Sequence, residues 1–528
     1  MGTYLNPGNS GFVRITSGEY VDKTMLIEEI NNTIGTTANL TCISRPRRFG
    51  KSYTANMLCA YYDLSCDSTA LFKDFKIASS QSFSQHLNKY NVIYIDTTAF
   101  ISNINMSGKT MSDLPNDIST AIRNDIIESM PELADVEKPL DCLLKYCEKT
   151  GRKYVFIIDE WDAVIREAKD DLQTQKRYLN LLREWFKNGN FTSKAIAAAY
   201  MTGILPIKKD GTESAISDFR EYTILNPAKY SEFTGFTESE VQELCSRHGM
   251  NYNTMKEWYD GYNFKNITSV YNPYSVMLAI ENQSYESYWK KTTAAESLFS
   301  YIDMDYDGLQ SEIVRLISGE QIEVATSSFE NDVKNFKSKD DVLTLLIHLG
   351  YLAFNADAET AYIPNKEVMA EFKDMLKKPG KNKLAELVKK SDELLESTIS
   401  CDCDAVASAL DEIRLSSYAP TYYNNEQALR YIIKFAYITC VDKYLTIEEL
   451  PSGKGVADVV FVPKKATSYP AMIIELKWNK SKDAAINQIK EKKYPAILQE
   501  YGGDIILVGI NYDEKNKNHS CKIEVMGK

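Results

Sequence analysis

From residue 40 onward, short apolar runs alternate with longer stretches in which apolar residues recur at helical spacing. This alternation predicts strands connected by helices, the arrangement of a parallel α/β sheet. The predicted strands are Asn39–Ser44, Asn91–Thr97, Tyr154–Asp159, Ala195–Thr202 and Glu221–Leu225. Because open α/β sheets bind ligands at the carboxyl ends of their strands, polar residues that end these runs are the first candidates for a site.

The pattern changes near Thr237 to helices rich in aromatic residues. Between Lys337 and Leu376 it predicts a helix, two short strands (Tyr351–Asn355 and Ala361–Ile363) and a second helix. That order is typical of a small winged-helix-like module. Charges nearly cancel in this segment, so contact with DNA and docking of another domain are both open.

The C-terminal segment has a third pattern. It predicts a helix, two strands, a helix and a final strand, in a mixed sheet with its own core. The elements are Asn424–Tyr437, Val456–Val462, Ala471–Lys477, a helix from Ala484, and Ile505–Val508. The chain therefore divides into three predicted domains, residues 1–236, 237–403 and 404–528.

The amino-acid composition narrows the classes of function that the protein can have. Lys and Arg total 61 against 73 Asp and Glu, for a net charge of −12, so nucleic acid would contact local basic patches rather than the whole surface. The 10 cysteines form no C-x-x-C pair and there are only 4 histidines, which disfavours a zinc site. The longest apolar stretch, Ala195–Ile207, is too short to span a membrane, and no signal segment is evident. We expect a cytoplasmic protein without a membrane partner.

A phosphate-loop pattern follows the first strand. Gly50, Lys51 and Ser52 precede a predicted helix, as in loops whose backbone amides hold phosphates while the Lys contacts the β and γ groups and the hydroxyl binds Mg²⁺. Arg45 stands where the full pattern has a glycine, and Pro46 lacks an amide donor. A basic turn without a ligand is the alternative.

A second strand supplies the acids that such a loop requires. The run Tyr154–Asp159 is followed by Glu160, which suits an Asp in the Mg²⁺ shell and a Glu that orients or deprotonates the attacking water. Thr202 would contact the γ-phosphate, or else cap the strand end. Asp96, at the end of another predicted strand, would either support the site as a further acid or cap the strand end.

These motifs resemble the bacterial AAA-ATPase-like family. The resemblance is carried by Gly18–Thr24, Arg45–Ser52, the Ile-Ile-Asp-Glu-Trp-Asp run to Asp162, Met201–Leu205 and Val270–Tyr274. It implies that Arg45 is the family's own version of the loop, and that a domain of the PD-(D/E)xK nuclease superfamily commonly follows. The nucleotide-binding candidates are Arg45, Arg47, Arg48, Phe49, Gly50, Lys51, Ser52, Tyr53 and Thr202.

An acid–lysine cluster lies near the C-terminus. Glu475 and Lys477 alternate along one predicted strand and therefore share a face, where Asp458 joins them from the hairpin partner. Two carboxylates suit Mg²⁺, while the lysine would activate a water and steady the phosphate during phosphodiester cleavage. An ion pair on a solvated sheet edge is the alternative reading of Glu-x-Lys.

The cluster is similar to the core of the nuclease superfamily. That resemblance implies a further metal-site acid at Glu426 and an active-site role for Gln488. Val456 departs from it, because relatives often carry an Arg there that contacts substrate phosphate. Between Glu475 and Tyr494, 6 Lys face 2 Glu and 1 Asp, a local positive patch suited to nucleic acid.

The sequence thus predicts an α/β protein with a P-loop NTPase parallel sheet, a helical, winged-helix-like region and a PD-(D/E)xK-type domain. We expect ATP and Mg²⁺ as cofactors, nucleic acid as the partner with DNA ahead of RNA, and ATP hydrolysis coupled to a nuclease. The candidate catalytic residues are Glu160, Asp458, Glu475, Lys477 and Gln488, and the candidate metal ligands are Ser52, Asp159, Glu426, Asp458 and Glu475. The alternatives are an ATP-gated switch whose last domain only binds, and a structural assembly protein. A homo-oligomer is left open.

Overall fold

The computed structural model describes the chain apart from residues 1, 208, 211–212, 215, 217, 290–301, 303–305, 318, 332–335, 377–382, 416–424, 453–454, 465–468, 493–497, 499–502 and 527–528. The turn between the predicted strands Val456–Val462 and Ala471–Lys477 therefore falls partly outside the described residues. The chain forms two compact units, Met1–Lys290 with Glu323–Val368, and Lys291–Ile322 with Met369–Lys528. The three-domain division at residues 236 and 403 stays a prediction.

The first unit is built on a parallel sheet. Its strands, in the spatial order β2-β3-β4-β1-β7, pair in parallel throughout. Their bounds are β1 Leu40–Ser44, β2 Asn91–Asp96, β3 Tyr154–Asp159, β4 Ile196–Gly203 and β7 Arg220–Tyr222, with β5 Lys209–Asp210 and β6 Glu213–Ser214 pairing separately. Each of the five predicted strands is present, and the fifth begins one residue earlier and ends three residues earlier than expected.

Helices cover both faces of this sheet because its central strands are apolar on both sides. In β3, Phe156 and Ile158 belong to one buried cluster, and Val155 and Ile157 belong to the other. The helices are α1 Ser10–Thr16, α2 Leu26–Asn31, α3 Lys51–Tyr62, α4 Thr69–Phe72, α5 Phe83–His86, α6 Thr97–Ser107, α7 Leu114–Ser129, α8 Pro139–Thr150, α9 Ala163–Glu167, α10 Leu172–Phe186 and α11 Gly189–Ala195.

The helical region contributes residues to both units, and its residues up to Lys290 and from Glu323 to Val368 belong to the first. It contains α12 Glu238–His248, α13 Tyr252–Tyr259 and α14 Pro273–Asn282, with the strands β8 Phe236–Thr237, β9 Tyr262–Phe264 and β10 Ile267–Tyr271. The predicted helix–hairpin–helix module is present: α16 Lys339–Leu349, then the antiparallel pair β12 Ala353–Asn355 and β13 Thr360–Tyr362, then α17 Lys366–Leu376. Two further elements are α15 Leu309–Ile317, which belongs to the second unit, and β11 Ile322–Glu323, where the residue ranges of the two units meet.

The second unit holds a five-stranded mixed sheet in the order β14-β15-β16-β17-β18, with bounds β14 Tyr444–Ser452, β15 Gly455–Pro463, β16 Ala471–Trp478, β17 Ile505–Asp513 and β18 Asn518–Met526. Its helices are α18 Lys383–Ile399, α19 Cys403–Leu415, α20 Glu426–Ala436 and α21 Lys482–Glu491. The predicted order lacked both edge strands, β14 and β18. Edge strands with polar residues among their apolar ones give a weak periodic pattern, which explains the omission.

Within the described parts of the chain, no helix has the length and apolar character that crossing a bilayer requires.

Candidate nucleotide and phosphodiester sites

Lys51 lies at the start of α3, directly after β1 and the loop Arg45–Gly50. Gly50 precedes the helix at φ +86°, a left-handed conformation that glycine adopts without strain. The Lys51 side chain is only 4% exposed, and its Nζ donates to the carbonyl oxygens of Arg45 at 3.2 Å and Pro46 at 2.9 Å. The loop therefore wraps around the lysine ammonium, which is held at the helix N-terminus where an anion would bind.

Asp159 meets the loop from β3. The residue is 2% exposed, and the Ser52 side chain lies near its carboxylate. Burial raises the pKa of Asp159 to about 7, and the charge of Glu160 adds to this rise while the nearby Ser52 hydroxyl opposes it. The predicted metal pair, Ser52 and Asp159, is thus brought together, and a buried carboxyl with a raised pKa is one that a divalent cation would stabilise in its charged form.

Glu160 is positioned between two cations. Its backbone is left-handed at φ +52°, its Oε1 lies 3.4 Å from Lys51 Nζ, and its Oε2 lies 2.6 Å from Arg166 Nη2. Although burial alone would raise the pKa of Glu160, the charges of Lys51 and Arg166 lower it below its ordinary value. The side chain is therefore held as an anion beside the loop.

Arg166 and Asp162 were not among the predicted site residues. Arg166 Nε donates to Asp162 Oδ2 at 3.0 Å, and the fully buried Asp162 accepts the backbone amides of Ile204 at 3.2 Å and Leu205 at 2.9 Å. The acid thereby fixes the chain that follows β4 beside the end of β3. The spacing of Asp162 and Arg166, one helical turn apart, was the available signal.

The other strand ends are close by. Asp96 is paired in register with Asp159, and it accepts from the amides of Thr98 and Ala99, so the structure gives it the cap role. Thr202, in register with Ile43 of β1, is buried, and its hydroxyl has no hydrogen-bond partner among the described residues. An orphaned hydroxyl at the carboxyl edge of the sheet suits contact with a bound group.

Arg45 departs from its predicted role as a nucleotide contact. Its guanidinium is fully buried, and Nε donates to Thr234 Oγ1 at 2.9 Å while Nη1 donates to the carbonyl oxygens of Ser44 and Tyr222, each at 2.9 Å. The charge also lies 5.0 Å from the centre of the Phe264 ring. Arg45 therefore supports the loop from beneath rather than presenting its charge to a ligand.

The remaining predicted nucleotide contacts of the loop and the start of α3 differ in their exposure. Arg48, at φ +70°, donates to the carbonyl oxygen of Tyr288 at 2.5 Å and lies 4.3 Å from the centre of the Tyr274 ring. Phe49 is buried, with its ring centre 5.1 Å from that of Tyr262. Two predicted contacts stay open to a ligand, since Arg47 is partly buried and Tyr53 is 57% exposed.

The acid–lysine cluster of the second unit is assembled as predicted. Lys477 Nζ donates to Glu475 Oε1 at 2.8 Å and to the carbonyl oxygen of Leu476 at 2.9 Å. Asp458 lies just beyond the ladder between β15 and β16, and its Oδ2 accepts the amide of Leu476 at 2.9 Å. The carboxyl of Asp458 is thereby fixed between the two residues of the Glu-x-Lys pair.

Glu475 is the most perturbed acid of this cluster. It is 1% exposed, and its Oε2 has no hydrogen-bond partner in the described structure. Burial raises the pKa of Glu475 to about 7, Asp458 and Glu426 raise it further, and Lys477 opposes them. A buried carboxylate oxygen without a partner, close to two other acids, is chemically suited to a divalent cation.

Two further predicted residues lie on helices of the same unit. Glu426 begins α20 and is exposed, and its charge helps to raise the pKa of Glu475. Gln488 is partly exposed on α21, the helix whose Ile486 and Ile489 pack in one cluster with Ile473 of β16. Within the described residues, no three His, Cys, Asp or Glu side chains are grouped as a ready metal site.

The sequence reading missed Arg430. Its Nη2 lies 2.7 Å from Asp458 Oδ1, and its side chain is 23% exposed. It follows Glu426 by four residues on α20, so both project from the same side of the helix. That spacing was the only available signal, and nothing in the sequence connected it with Asp458.

Two family models match the chain. Residues 8–213 match the AAA-ATPase-like model, described as a predicted AAA-ATPase. Residues 424–522 match the PD-(D/E)XK nuclease superfamily model. The chain thus carries an AAA-ATPase-like domain and a nuclease-superfamily domain, which confirms both resemblances and the predicted fold class; a bacterial origin is not addressed by these matches.

Solved structures similar to the chain include two proteins from Aeropyrum pernix. The Aeropyrum pernix ORC2 protein in ADPNP–ADP complexes shares 10% identity over 67% of this chain and 92% of its own, with a TM-score of 0.26. The Aeropyrum pernix ORC1 protein in complex with DNA shares 9% identity over 71% and 97%, with a TM-score of 0.24. TM-scores this low carry no argument about fold or function. No curated protein matches the chain significantly.

Proposed function

We propose that this protein binds and hydrolyses Mg·ATP in its AAA-ATPase-like domain and that the state of the nucleotide controls Mg²⁺-dependent cleavage of nucleic acid, DNA ahead of RNA, by its nuclease-superfamily domain. The observation that carries the ATP half is the meeting of Lys51, Ser52, Asp159 and Glu160 at one edge of the parallel sheet. We also propose the domain division 1–236, 237–403 and 404–528.

In the nucleotide site, each side chain has a distinct task. Lys51 would exchange its two carbonyl partners for phosphate oxygens, which are stronger acceptors because they are charged. Ser52 and Asp159 would hold Mg²⁺, and Glu160 would orient the attacking water and accept its proton. When Lys51 turns to phosphate, Glu160 keeps Arg166 as its partner, so the acid remains positioned.

In the phosphodiester site, Asp458 and Glu475 would hold the metal, with Glu426 as a further acid. Bound Mg²⁺ would neutralise charge on the phosphate and lower the pKa of a coordinated water. Lys477, released from Glu475, would orient the attacking water and donate to the phosphate oxygens. Gln488 would contact the substrate from α21.

One observation favours the alternative function, an ATP-gated protein whose last domain only binds nucleic acid or a protein partner. Arg430 and Lys477 already neutralise Asp458 and Glu475 at 2.7 and 2.8 Å. An acid pair that remains bound to these cations would hold no metal and would cleave nothing, while the surrounding lysines would still attract a polyanion.

The decisive experiment uses the full-length protein with labelled duplex DNA and with RNA, in Mg²⁺ or Mn²⁺, with ATP, with ADP and without nucleotide. We expect cleavage that depends on the nucleotide, no cleavage by Glu475→Gln, and normal cleavage by Glu491→Gln, an exposed acid of α21. Lys51→Ala should lose ATP binding, whereas Lys153→Ala, an exposed lysine of the same unit, should keep it.

The two functions give different results in this experiment. If no nucleic acid is cut under any condition, while Lys51→Ala abolishes binding of DNA or RNA and Glu475→Ala leaves it intact, the switch replaces the nuclease. If a calorimetric titration detects no nucleotide binding by the wild-type protein, both functions fail and a structural assembly role takes their place.

A further inference from the structure

Arg430 binds one carboxylate oxygen of Asp458, and a backbone amide of the sheet binds the other. Asp458 Oδ2 accepts the Leu476 amide at 2.9 Å, whereas Oδ1 accepts Arg430 Nη2 at 2.7 Å. A metal that approached Asp458 would bind Oδ1, the oxygen that is not bonded to the backbone. The guanidinium and the metal would then share one acceptor and repel each other as like charges.

Lys477 neutralises Glu475 as Arg430 neutralises Asp458, but with one difference. It binds Glu475 Oε1 at 2.8 Å and leaves Oε2 buried without a partner, so a cation has an open oxygen there. At Asp458 each oxygen already accepts one donor, so a cation would share its oxygen with Arg430 or with the Leu476 amide. Entry of a metal therefore weakens the bond to Arg430 more than the bond to Lys477.

We propose that Arg430 is a phosphate-binding residue: it neutralises Asp458 in the metal-free protein and, when a divalent cation takes Asp458, turns to the phosphodiester of the nucleic acid. This rests on the proposed nuclease function. The side chain is 23% exposed, so a substrate reaches it without unfolding of α20. Its planar array of donors matches a phosphate group as well as it matches a carboxylate.

The position of Arg430 is also relevant to Val456, where the sequence departs from the nuclease-superfamily pattern. The resemblance to the nuclease superfamily places a phosphate-contacting arginine just before Asp458, where this chain has Val456. Arg430 brings a guanidinium to within 2.7 Å of that same Asp458, from a helix rather than from the strand.

The test compares full-length wild type with Arg430→Met, Arg430→Lys and Asp458→Asn. Calorimetric titration with Mn²⁺ alone measures the metal site, taken as the binding that Asp458→Asn removes. Anisotropy of a fluorescein-labelled DNA duplex in Ca²⁺ measures substrate binding without turnover. The control is Arg315→Met, which removes an arginine of the same unit that is ion-paired with Glu312 and Glu320.

We expect Arg430→Met to bind Mn²⁺ about threefold or more tightly, because a competing positive charge is gone. It should bind the DNA about tenfold more weakly, the loss typical of a charge-assisted hydrogen bond. Arg430→Lys should recover part of the DNA affinity, since it restores the charge but not the planar donors. Arg315→Met should match the wild type in both measurements.

Weaker Mn²⁺ binding by Arg430→Met would overturn the inference, because it would mean that Arg430 only braces Asp458. So would unchanged DNA affinity in a protein whose wild type binds DNA, and this result would leave the proposed nuclease intact. If wild-type protein binds neither the duplex nor Mn²⁺ at Asp458, the proposed function itself fails, and the phosphate role of Arg430 fails with it. Arg430→Lys keeps the test valid if the methionine variant does not fold.

Discussion

Arg166 binds Glu160 and Asp162 at once: its Nη2 lies 2.6 Å from Glu160 Oε2 and its Nε lies 3.0 Å from Asp162 Oδ2. Asp162 in turn holds the amides of Ile204 and Leu205. Glu160, the proposed general base, is therefore anchored through one arginine to the chain that follows β4. The orientation of Glu160 depends on a buried polar network rather than on its own backbone alone.

Arg166→Met should lower kcat for ATP hydrolysis about tenfold while changing the affinity for ATP less than about twofold, because it releases the water-orienting acid but leaves the phosphate loop intact. The acid limb of the pH–rate profile should also move to higher pH, since the charge of Arg166 is one of the causes that lower the pKa of Glu160. Steady-state hydrolysis across pH and a fluorescent-nucleotide titration measure both effects.

Arg166→Lys is the conservative control and should recover part of kcat, because it restores the charge next to Glu160. Arg183→Met, on the next helix α10, should behave like the wild type. A large loss of ATP affinity with unchanged kcat would contradict the positioning role, since that pattern is typical of a residue that contacts the nucleotide itself.

Arg45→Gly restores the glycine of the standard loop pattern, yet we expect no gain in ATP binding. The buried guanidinium bonds the carbonyl oxygens of Ser44 and Tyr222 and the hydroxyl of Thr234. Its removal leaves a cavity and unpaired acceptors, which should lower the free energy of unfolding by about 3 kcal/mol or more. Thermal denaturation and a nucleotide titration check the two expectations.

Arg47→Ala is the matched comparison, because Arg47 is only partly buried in the same loop. It should weaken ATP binding with a loss of stability below about 1 kcal/mol, as expected of a surface substitution. Tighter ATP binding by Arg45→Gly, with wild-type stability, would show that our assignment of Arg45 to the loop's support is wrong.

The sequence predicted those parts of the sites that follow from periodicity and local motifs. The strand Tyr154–Asp159 has the predicted bounds because its apolar run is continuous and buried on both faces, and the alternation of Glu475 and Lys477 correctly placed them side by side. Arg430 could not be found in this way. Its contact with Asp458 joins residues 28 positions apart, and no local period encodes such a contact.

The buried position of Arg45 could not be predicted for the same reason, because it depends on residues distant in the sequence. A motif indicates that a residue lies in a loop, but whether its side chain points to the ligand or into the core depends on what packs beneath the loop. Here Thr234 and Phe264 supply that surface from far along the chain. The edge strands β14 and β18 were missed for a related reason, since their pairing is fixed by neighbouring strands more than by their own pattern.

Glu475 makes the stability of the metal-free protein depend on pH. Burial raises the pKa of this group from near 4.5 to about 7, so the folded state binds a proton that the unfolded state releases. That stabilising contribution is complete below about pH 4.5 and is lost as the pH rises through about 7. It amounts to at most about 3 kcal/mol.

Urea unfolding of the wild type and of Glu475→Gln at pH 5, 6, 7 and 8 measures this effect, because other titrating groups cancel in the difference. We expect the variant to gain stability relative to the wild type as the pH rises. A difference that stays constant over this range would contradict the raised pKa. Saturating Mn²⁺ should reduce the loss in the wild type, since the metal stabilises the ionised carboxylate.

Gly350 connects the helical region to the phosphate loop. It adopts φ +86°, and a Cβ added there would lie 2.7 Å from Pro46 Cβ and 3.2 Å from the Trp289 ring. Pro46 supplies one of the two carbonyl oxygens that hold Lys51 Nζ. We therefore expect Gly350→Ala to lower the free energy of unfolding by about 1–3 kcal/mol and to weaken ATP binding, because Pro46 must shift to relieve the contact.

Gly249→Ala separates the two causes of this loss. Gly249 also has a left-handed backbone, at φ +66°, but a Cβ there would meet nothing within 4 Å. The control therefore carries the backbone strain of an alanine at positive φ without the clash, and it should cost about 1 kcal/mol and leave ATP affinity unchanged. If both variants bind ATP as the wild type does, the packing of Gly350 against Pro46 does not set the position of Lys51, and the loop holds its lysine independently of the helical region.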